Sequence, residues 1–133
     1  MDSSIEVIEE FGKSIPIGEA GLSFPERVRL ERAFFLLAKN IAERLGYSIS
    51  GLNAPSKYLV DNIQVHDDQL DLKRLLVRLF EARSVLRNLA SGESYIVDNL
   101  MGPSLPGRHN AVLGFSRSLL SIARIAKSTD VVE

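Results

Sequence analysis

Two histidines are the residues of this sequence best suited to acid–base chemistry near neutral pH. His66 stands directly before Asp67 and Asp68, an arrangement that resembles a metal-binding cluster. However, no second histidine lies three or four residues away, the spacing that a helical zinc site uses. Acidic residues at such a position are typical of a helix start, where they complement the helix dipole. We therefore interpret His66 as part of a helix start and expect no metal site.

The second histidine, His109, follows Arg108 in a segment rich in glycine and proline, GPSLPGRH. Side chains in such loops are not held by core packing, so this pair could contact the phosphates of a polyanion. Small helical ribonucleases of prokaryotic toxin systems place an arginine before the histidine with a spacer of four to six residues, and neither His66 nor His109 has an arginine at that distance. The sequence also lacks a glycine-rich phosphate loop, a Glu-x-x-His motif and a Gly-x-Ser-x-Gly motif. It predicts no enzymatic activity and no cofactor.

Glu31 is the carboxylate whose position most requires an explanation. At 100° per residue it falls within the apolar sector of its helix, beside Phe34 and Ala38. A carboxylate buried there alone would cost several kcal/mol or take up a proton. Arg27, one turn earlier, could form a structural ion pair with Glu31, and arginines of a later helix are further candidates. The alternative is that Glu31 lies beyond the core, near the helix start, and is solvated.

A later segment carries a run of basic residues that could contact a polyanion. Lys73, Arg74, Arg78, Arg83 and Arg87 bring five positive charges. They spread around the polar side of one helix and share it with acidic residues, which is typical of a solvated face. No aromatic residues alternate with them to stack bases. Contact of the four arginines with DNA or RNA is therefore the alternative function, not the leading one.

The composition favours one compact domain without a membrane span. The 133 residues include 45% hydrophobic and 25% charged residues, enough for a single core. The formal net charge of -1 gives no bulk attraction to nucleic acid. The sequence has no cysteine, its first residues carry glutamates where a secretory signal has basic ones, and its longest apolar stretch is six residues. A bilayer span needs about 20, so we expect a cytoplasmic protein.

Helices are the elements that must position these residues, because no segment alternates apolar and polar residues as a strand does. Three long helices are expected. Ser23 and Pro25 are typical of the start of the first, which should end at Gly46. The second should run from His66 to about 90, and the third from 111, capped by Asn110, to about 127. Their apolar faces are expected to bury, among others, Val28 and Leu120.

Three shorter helices complete the predicted all-α bundle. The first spans Ile5 to Phe11 and should be closed by Gly12. A connector at 13–22 follows it. The other two helices are expected within 55–65, with Tyr58 on the buried side, and at 94–101. The tail at 128–133 is expected to be frayed.

One stretch contains Phe24-Pro25, Arg32-Ala33, Asn40-Ile41-Ala42-Glu43, Gly46 and Ser48. It resembles a stretch in the family of small four-helix-bundle proteins encoded in intervening sequences of bacterial 23S ribosomal RNA genes. The family includes relatives such as the accessory variability protein of diversity-generating retroelements. The resemblance implies a helical bundle that forms a ring-like homo-oligomer. The retroelement relatives are strongly basic whereas this chain is neutral, and no functional residue is carried over.

The sequence has several apolar helix faces and no recognisable set of catalytic residues. Together these features favour a function based on contact with another protein. The sequence thus predicts a non-enzymatic cytoplasmic interaction module, either a homo-oligomer or a small antitoxin-like or immunity-like partner protein. A nucleic-acid accessory protein is the alternative. We expect neither a membrane nor a metal ion among its partners.

Overall fold

The computed structural model describes residues 3–14, 22–90 and 105–131, and the side chains of 89, 90 and 105–111 lie outside that description. In this part of the chain it contains helices and no strand, which confirms the prediction of a single-domain all-α bundle. A short 3-10 turn, Asp67–Gln69, precedes the fourth helix. The predicted helix at 94–101 lies outside the described residues. The helices are α1 (Ser4–Ser14), α2 (Phe24–Arg44), α3 (Ala54–Asp61), α4 (Leu70–Ala90) and α5 (Leu105–Ser128).

Four of the helices form a ring around one core. α1 packs against α2, α2 against α4, α4 against α5, and α5 closes the ring onto α1, while α3 packs against α4. α1 and α5 run antiparallel, because Glu9 contacts Lys127 at the end of α5, whereas Gly12 contacts Ser116 further towards its start. A helix in such a ring has two neighbours, so one sector of its circumference is left facing outwards.

The largest fully buried side chains come from every helix of the ring and from α3. Burying each one contributes roughly 1.5–3 kcal/mol, so this shared interior is the main source of stability. The apolar faces predicted for the three long helices thus do meet in one core. The residues concerned are Ile8, Leu30, Phe34, Leu37, Ile41, Val60, Leu75, Leu76, Leu79, Leu86, Leu119 and Ile122.

Three residues assigned to buried faces are exposed instead. Val28 is 45% exposed, Tyr58 74% and Leu120 37%. In α3 the buried side is formed by Ser56 and Val60, which turns Tyr58 outwards. Helical periodicity gives the direction of each side chain, but the width of the buried sector depends on how closely the neighbouring helices approach.

The ends of α2 follow the predicted signals. Ser23 Oγ accepts the backbone N–H of Glu26 at 3.3 Å, and the Glu26 carboxylate accepts the backbone N–H of Ser23 at 3.2 Å. This reciprocal capping box satisfies two of the N–H groups that a helix start leaves without partners. At the other end Gly46 has φ +85°, and the next residue, Tyr47, donates its N–H to the Ala42 carbonyl at 2.9 Å. The pattern is a Schellman motif, which requires the left-handed conformation that glycine adopts at little cost.

Gly12 does not close the first helix as predicted, because α1 continues to Ser14. It is a helix-interior residue where α5 passes close by: a Cβ atom built on Gly12 would lie 2.9 Å from Cγ of Leu120. The predicted connector at 13–22 is therefore wrong at Lys13 and Ser14, which belong to α1. Its residues 15–21 lie outside the described part of the chain.

The last helix also differs from the prediction at both ends. α5 begins at Leu105 rather than at 111, since Pro106 is tolerated in a first helical turn, and Asn110 lies inside the helix instead of capping it. The tail is packed as far as Val131, which is 4% exposed and donates its N–H to Ala126. The expectation of a frayed tail is thus wrong for 128–131, and the remaining residues are not described.

Candidate interaction surface

The four arginines of α4 do not form one basic face. At 100° per residue Arg83 lies about 180° around the helix from Arg74, and Arg87 lies about 180° from Arg78. Arg78 donates to the Ser121 hydroxyl of α5 at 3.0 Å, which places Arg78 and the neighbouring Arg74 on the side of α5. Arg83 and Arg87 form a second pair on the opposite side of the helix. A polyanion contacting one pair would therefore not reach the other.

Most of these arginines tie elements of the fold together. Arg83 donates a hydrogen bond to the carbonyl of Leu52 in the segment before α3. Burial lowers the pKa of the Arg83 guanidinium, the charge of Arg87 lowers it further, and the charge of Glu31 opposes both effects. The Arg74 side chain is 72% exposed, and its Nη1 lies 3.9 Å from Oδ1 of Asp71. A structural role accounts for Arg78 and Arg83 without a ligand.

The predicted phosphate-contacting pair, Arg108 and His109, is not in a loop. Both residues belong to the first turns of α5, because that helix begins at Leu105. Their side chains lie outside the described residues, so their contact with a polyanion stays a prediction.

His66 precedes the 3-10 turn that leads into α4. Its backbone N–H donates to the Gln69 side chain at 3.3 Å, and its carbonyl accepts the Gln69 N–H at 2.9 Å. The predicted placement of His66 at a helix start is therefore confirmed. In the described ranges no three His, Asp or Glu side chains are grouped so that they could hold a metal ion.

Glu31 forms its ion pair with Arg87 of α4 rather than with Arg27. Nε of Arg87 lies 3.5 Å from Oε1 of Glu31, and the Glu31 side chain is 25% exposed. The pair joins α2 and α4, two neighbouring helices of the ring. Arg87 is thus one of the arginines of a later helix that the sequence analysis offered as partners for Glu31. Arg27 instead places its guanidinium carbon 5.3 Å from the centre of the Phe24 ring, on its own helix. This cation–π contact at the helix start explains why the predicted Glu31–Arg27 pair is wrong.

The outward sector of α2 carries a line of apolar residues that the sequence analysis missed. Phe24 is 68% exposed, Val28 is 45% exposed, and Phe35 is half-buried against the core. Val28 and Phe35 lie about 40° and about 20° around the helix from Phe24, so the three share one side. We call these three residues the α2 strip. Their spacing of four and seven residues was the signal available in the sequence.

Basic residues border the α2 strip on both sides. Arg32 and Lys39 lie about 80° and about 60° around α2 from Phe24, and both are exposed. On the other side of the strip, Arg27 lies about 60° around α2 from Phe24, and Arg87 of α4 lies next to Glu31, with which it forms an ion pair. We call Arg27, Arg32, Lys39 and Arg87 the basic rim. Glu31 is the acidic residue of this sector, and it is already paired.

Arg27 is unusual within this surface because it is incompletely satisfied. Of the buried side-chain nitrogen and oxygen atoms in the described residues, Nε of Arg27 makes no hydrogen bond. A buried donor that lacks a partner costs about 1–3 kcal/mol, more where the group is charged.

Comparison with known proteins gives no relative: no family model, no curated protein and no solved structure matches the chain. None of the described helices is both long enough and apolar enough to cross a membrane.

Proposed function

We propose that this chain is a non-enzymatic, cytoplasmic protein-interaction module that binds another protein chain through the α2 strip. The observation that carries the proposal is the exposure of Phe24 and Val28 in line on one helix, beside Arg27. Exposed aromatic side chains and arginine are enriched in protein interfaces and dominate their binding energy. The cytoplasmic location rests on the sequence, which has no cysteine that would need an oxidising compartment.

Other exposed apolar residues support the choice of α2 over the remaining helices. Leu36 lies about 80° around α2 from Val28. Of the others, Tyr58 lies on α3, Leu70 and Val85 lie fifteen residues apart on α4, and Leu120 lies on α5. Isolated apolar residues are normal on a protein surface, whereas an apolar group bordered by polar residues marks an interaction site. The bound chain is either a different protein or a second copy of this chain. An antitoxin-like role requires a different protein, whereas the resemblance to the ribosomal intervening-sequence family implies a second copy.

The nucleic-acid alternative has less support. The arginines proposed for it point to opposite sides of α4, and three of them contact Leu52, Ser121 and Glu31 of the same chain. Neutralising several phosphates requires basic residues on one surface.

The test compares the wild-type chain with the double variant Phe24→Ser/Val28→Ser and the matched control Leu36→Ser. Each protein is purified from the native host at moderate salt, and its mass and stoichiometry are measured by light scattering. We expect the wild type and the control to form a stoichiometric protein complex or homo-oligomer, and the double variant to elute as a folded monomer. A monomeric wild type without a bound chain, or a double variant that still assembles, would overturn the proposal.

A further inference from the structure

The proposed function leaves the chemistry of the partner open, and the charges around the α2 strip define it. Resting on that function, we propose that the strip receives an acidic amphipathic helix of a different protein. The strip is an apolar line about three helical turns long, with Glu31 at its edge and positive charge on both sides.

The length and direction of the strip suit a helix. From Phe24 to Phe35 the strip extends over eleven residues, or about 17 Å at 1.5 Å per residue. A partner helix that places apolar side chains one turn apart would contact it over the same distance, as in helix-in-groove recognition. Half-buried Phe35 provides a fixed end, whereas Phe24 and Val28 provide exposed apolar area.

The charge of the rim selects an acidic partner. Arg27, Arg32, Lys39 and Arg87 contribute four positive charges against one negative charge from Glu31, although the whole chain carries a net charge of -1. Among the described residues, no ion pair involves the three basic rim residues of α2. Carboxylates on both flanks of an apolar partner face would therefore meet unpaired cations.

Arg27 gives the strongest individual reason for a carboxylate. Its guanidinium is already held against the Phe24 ring, so binding would cost little of its side-chain entropy. The guanidinium makes no ion pair with another described residue, and a carboxylate can accept two parallel N–H bonds from one guanidinium. Aromatic and arginine side chains would then be buried together at the centre of the contact.

The same rim argues against two other occupants. A second copy bound across a two-fold axis would place the basic rims of both copies against each other, since such an interface uses the same surface twice. A single-stranded nucleic acid needs open aromatic rings for stacking, but Arg27 lies over Phe24, and Val28 has no ring.

The experiment uses labelled synthetic probes with the full-length chain. The first is a stapled helix of about 18 residues, roughly five turns, with one leucine face flanked by glutamates. The second has the same leucine face flanked by lysines, and the others are a single-stranded oligonucleotide and an anionic lipid vesicle. Binding is measured by fluorescence anisotropy, or by flotation for the vesicle, at low and at moderate salt.

We expect the glutamate-flanked helix to bind at least about tenfold more tightly than the lysine-flanked helix, a difference of about 1.4 kcal/mol. Added salt should reduce that difference, because the rim is exposed. Charge reversal by Arg27→Glu/Arg32→Glu should invert the preference between the two peptides. The matched control, Arg117→Glu/Arg124→Glu on exposed positions of α5, changes net charge equally and should preserve it.

Equal binding of the two peptides, or a preference unchanged by the rim reversal, would overturn the acidic-helix assignment. Tighter binding of the oligonucleotide or the vesicle, lost in the same rim variant, would also overturn it and identify that occupant instead. If complex formation in the native host still depends on Phe24 and Val28 in those cases, the proposed function stands and only the partner's chemistry is wrong. Circular dichroism of each variant separates unfolding from loss of binding.

Discussion

Replacement of Gly12 by alanine tests the closest approach between two helices of the ring. A Cβ atom at this position would lie 2.9 Å from Cγ and Cδ2 of Leu120 and 3.1 Å from the Leu120 backbone nitrogen. The leucine side chain is 37% exposed and can turn away, but the backbone nitrogen moves only with α5. Overpacking of this kind costs about 1–3 kcal/mol, and replacing a helix-interior glycine by alanine contributes about 1 kcal/mol in the other direction. We expect a net loss of about 1 kcal/mol for Gly12→Ala.

Gly114 provides the matched control. It also lies inside a helix, in α5, and no heavy atom lies within 4 Å of a Cβ atom built on it. Only the helix-propensity gain applies, so Gly114→Ala should raise the free energy of unfolding by about 1 kcal/mol. The two chemically identical changes should therefore differ by about 2 kcal/mol and have opposite signs.

Urea unfolding followed by far-UV circular dichroism gives both changes in the free energy of unfolding. The comparison requires that the slope of this free energy against urea concentration be the same for the variants and the wild type. In a double-mutant cycle, Gly12→Ala should cost less in the Leu120→Ala background than in the wild type, because two of the three crowding atoms are then gone. If Gly12→Ala were as stabilising as Gly114→Ala, α1 and α5 would not approach each other as described. The glycine would then be better explained as the helix terminator that the sequence suggests.

Three further changes test individual contacts by the same unfolding measurement. Ser23→Ala should lower the free energy of unfolding by about 1 kcal/mol through loss of the cap, and no loss would mean that the cap does not hold α2. A double-mutant cycle of Glu31→Gln with Arg87→Gln should give a coupling of about 0.5 kcal/mol that falls with salt, since both groups are partly exposed; a coupling unaffected by salt would contradict this. The hydrogen bond from Lys127 lowers the pKa of Glu9 below its ordinary value of 4.5. Its stabilisation is therefore present above that value and lost as pH falls through the lowered pKa, so Glu9→Gln should be less stable than wild type at neutral pH and equal to it in strong acid.

Local signals were sufficient to predict α2. Ser23, Pro25 and Glu26 act through hydrogen bonds and torsions within one turn, and Gly46 acts through its own φ, so none of them needs information from distant residues. The same reasoning fails at Gly12. Glycine there serves a close approach by a residue more than a hundred positions later, and nothing in the neighbouring sequence distinguishes that role from helix termination.

Two features depend on how the helices are placed against each other: which arginine pairs with Glu31, and which apolar residues remain exposed. Periodicity correctly places Glu31 beside the core, but whether Arg27 or Arg87 pairs with it depends on the register between α2 and α4. Periodicity also places Val28 on the apolar face of α2, at the edge of its sector. The structure leaves that edge uncovered, since α2 has neighbours on two sides only. The α2 strip thus belongs to an apolar pattern that the sequence alone does not distinguish from core.

The two groups of arginines differ in what the fold already supplies to them. On α4, Arg78 and Arg83 donate to acceptors of the same chain, so a ligand would have to compete with existing hydrogen bonds. On α2, the Arg27 guanidinium lies over the exposed Phe24 ring and makes no ion pair with another described residue. Binding energy is gained where a partner satisfies a group that the free protein leaves unsatisfied, and little is gained where it replaces one hydrogen bond by another. Because the chain as a whole is nearly neutral, this gain is short-range, and it should favour a partner whose carboxylates fit the rim over one that merely carries negative charge.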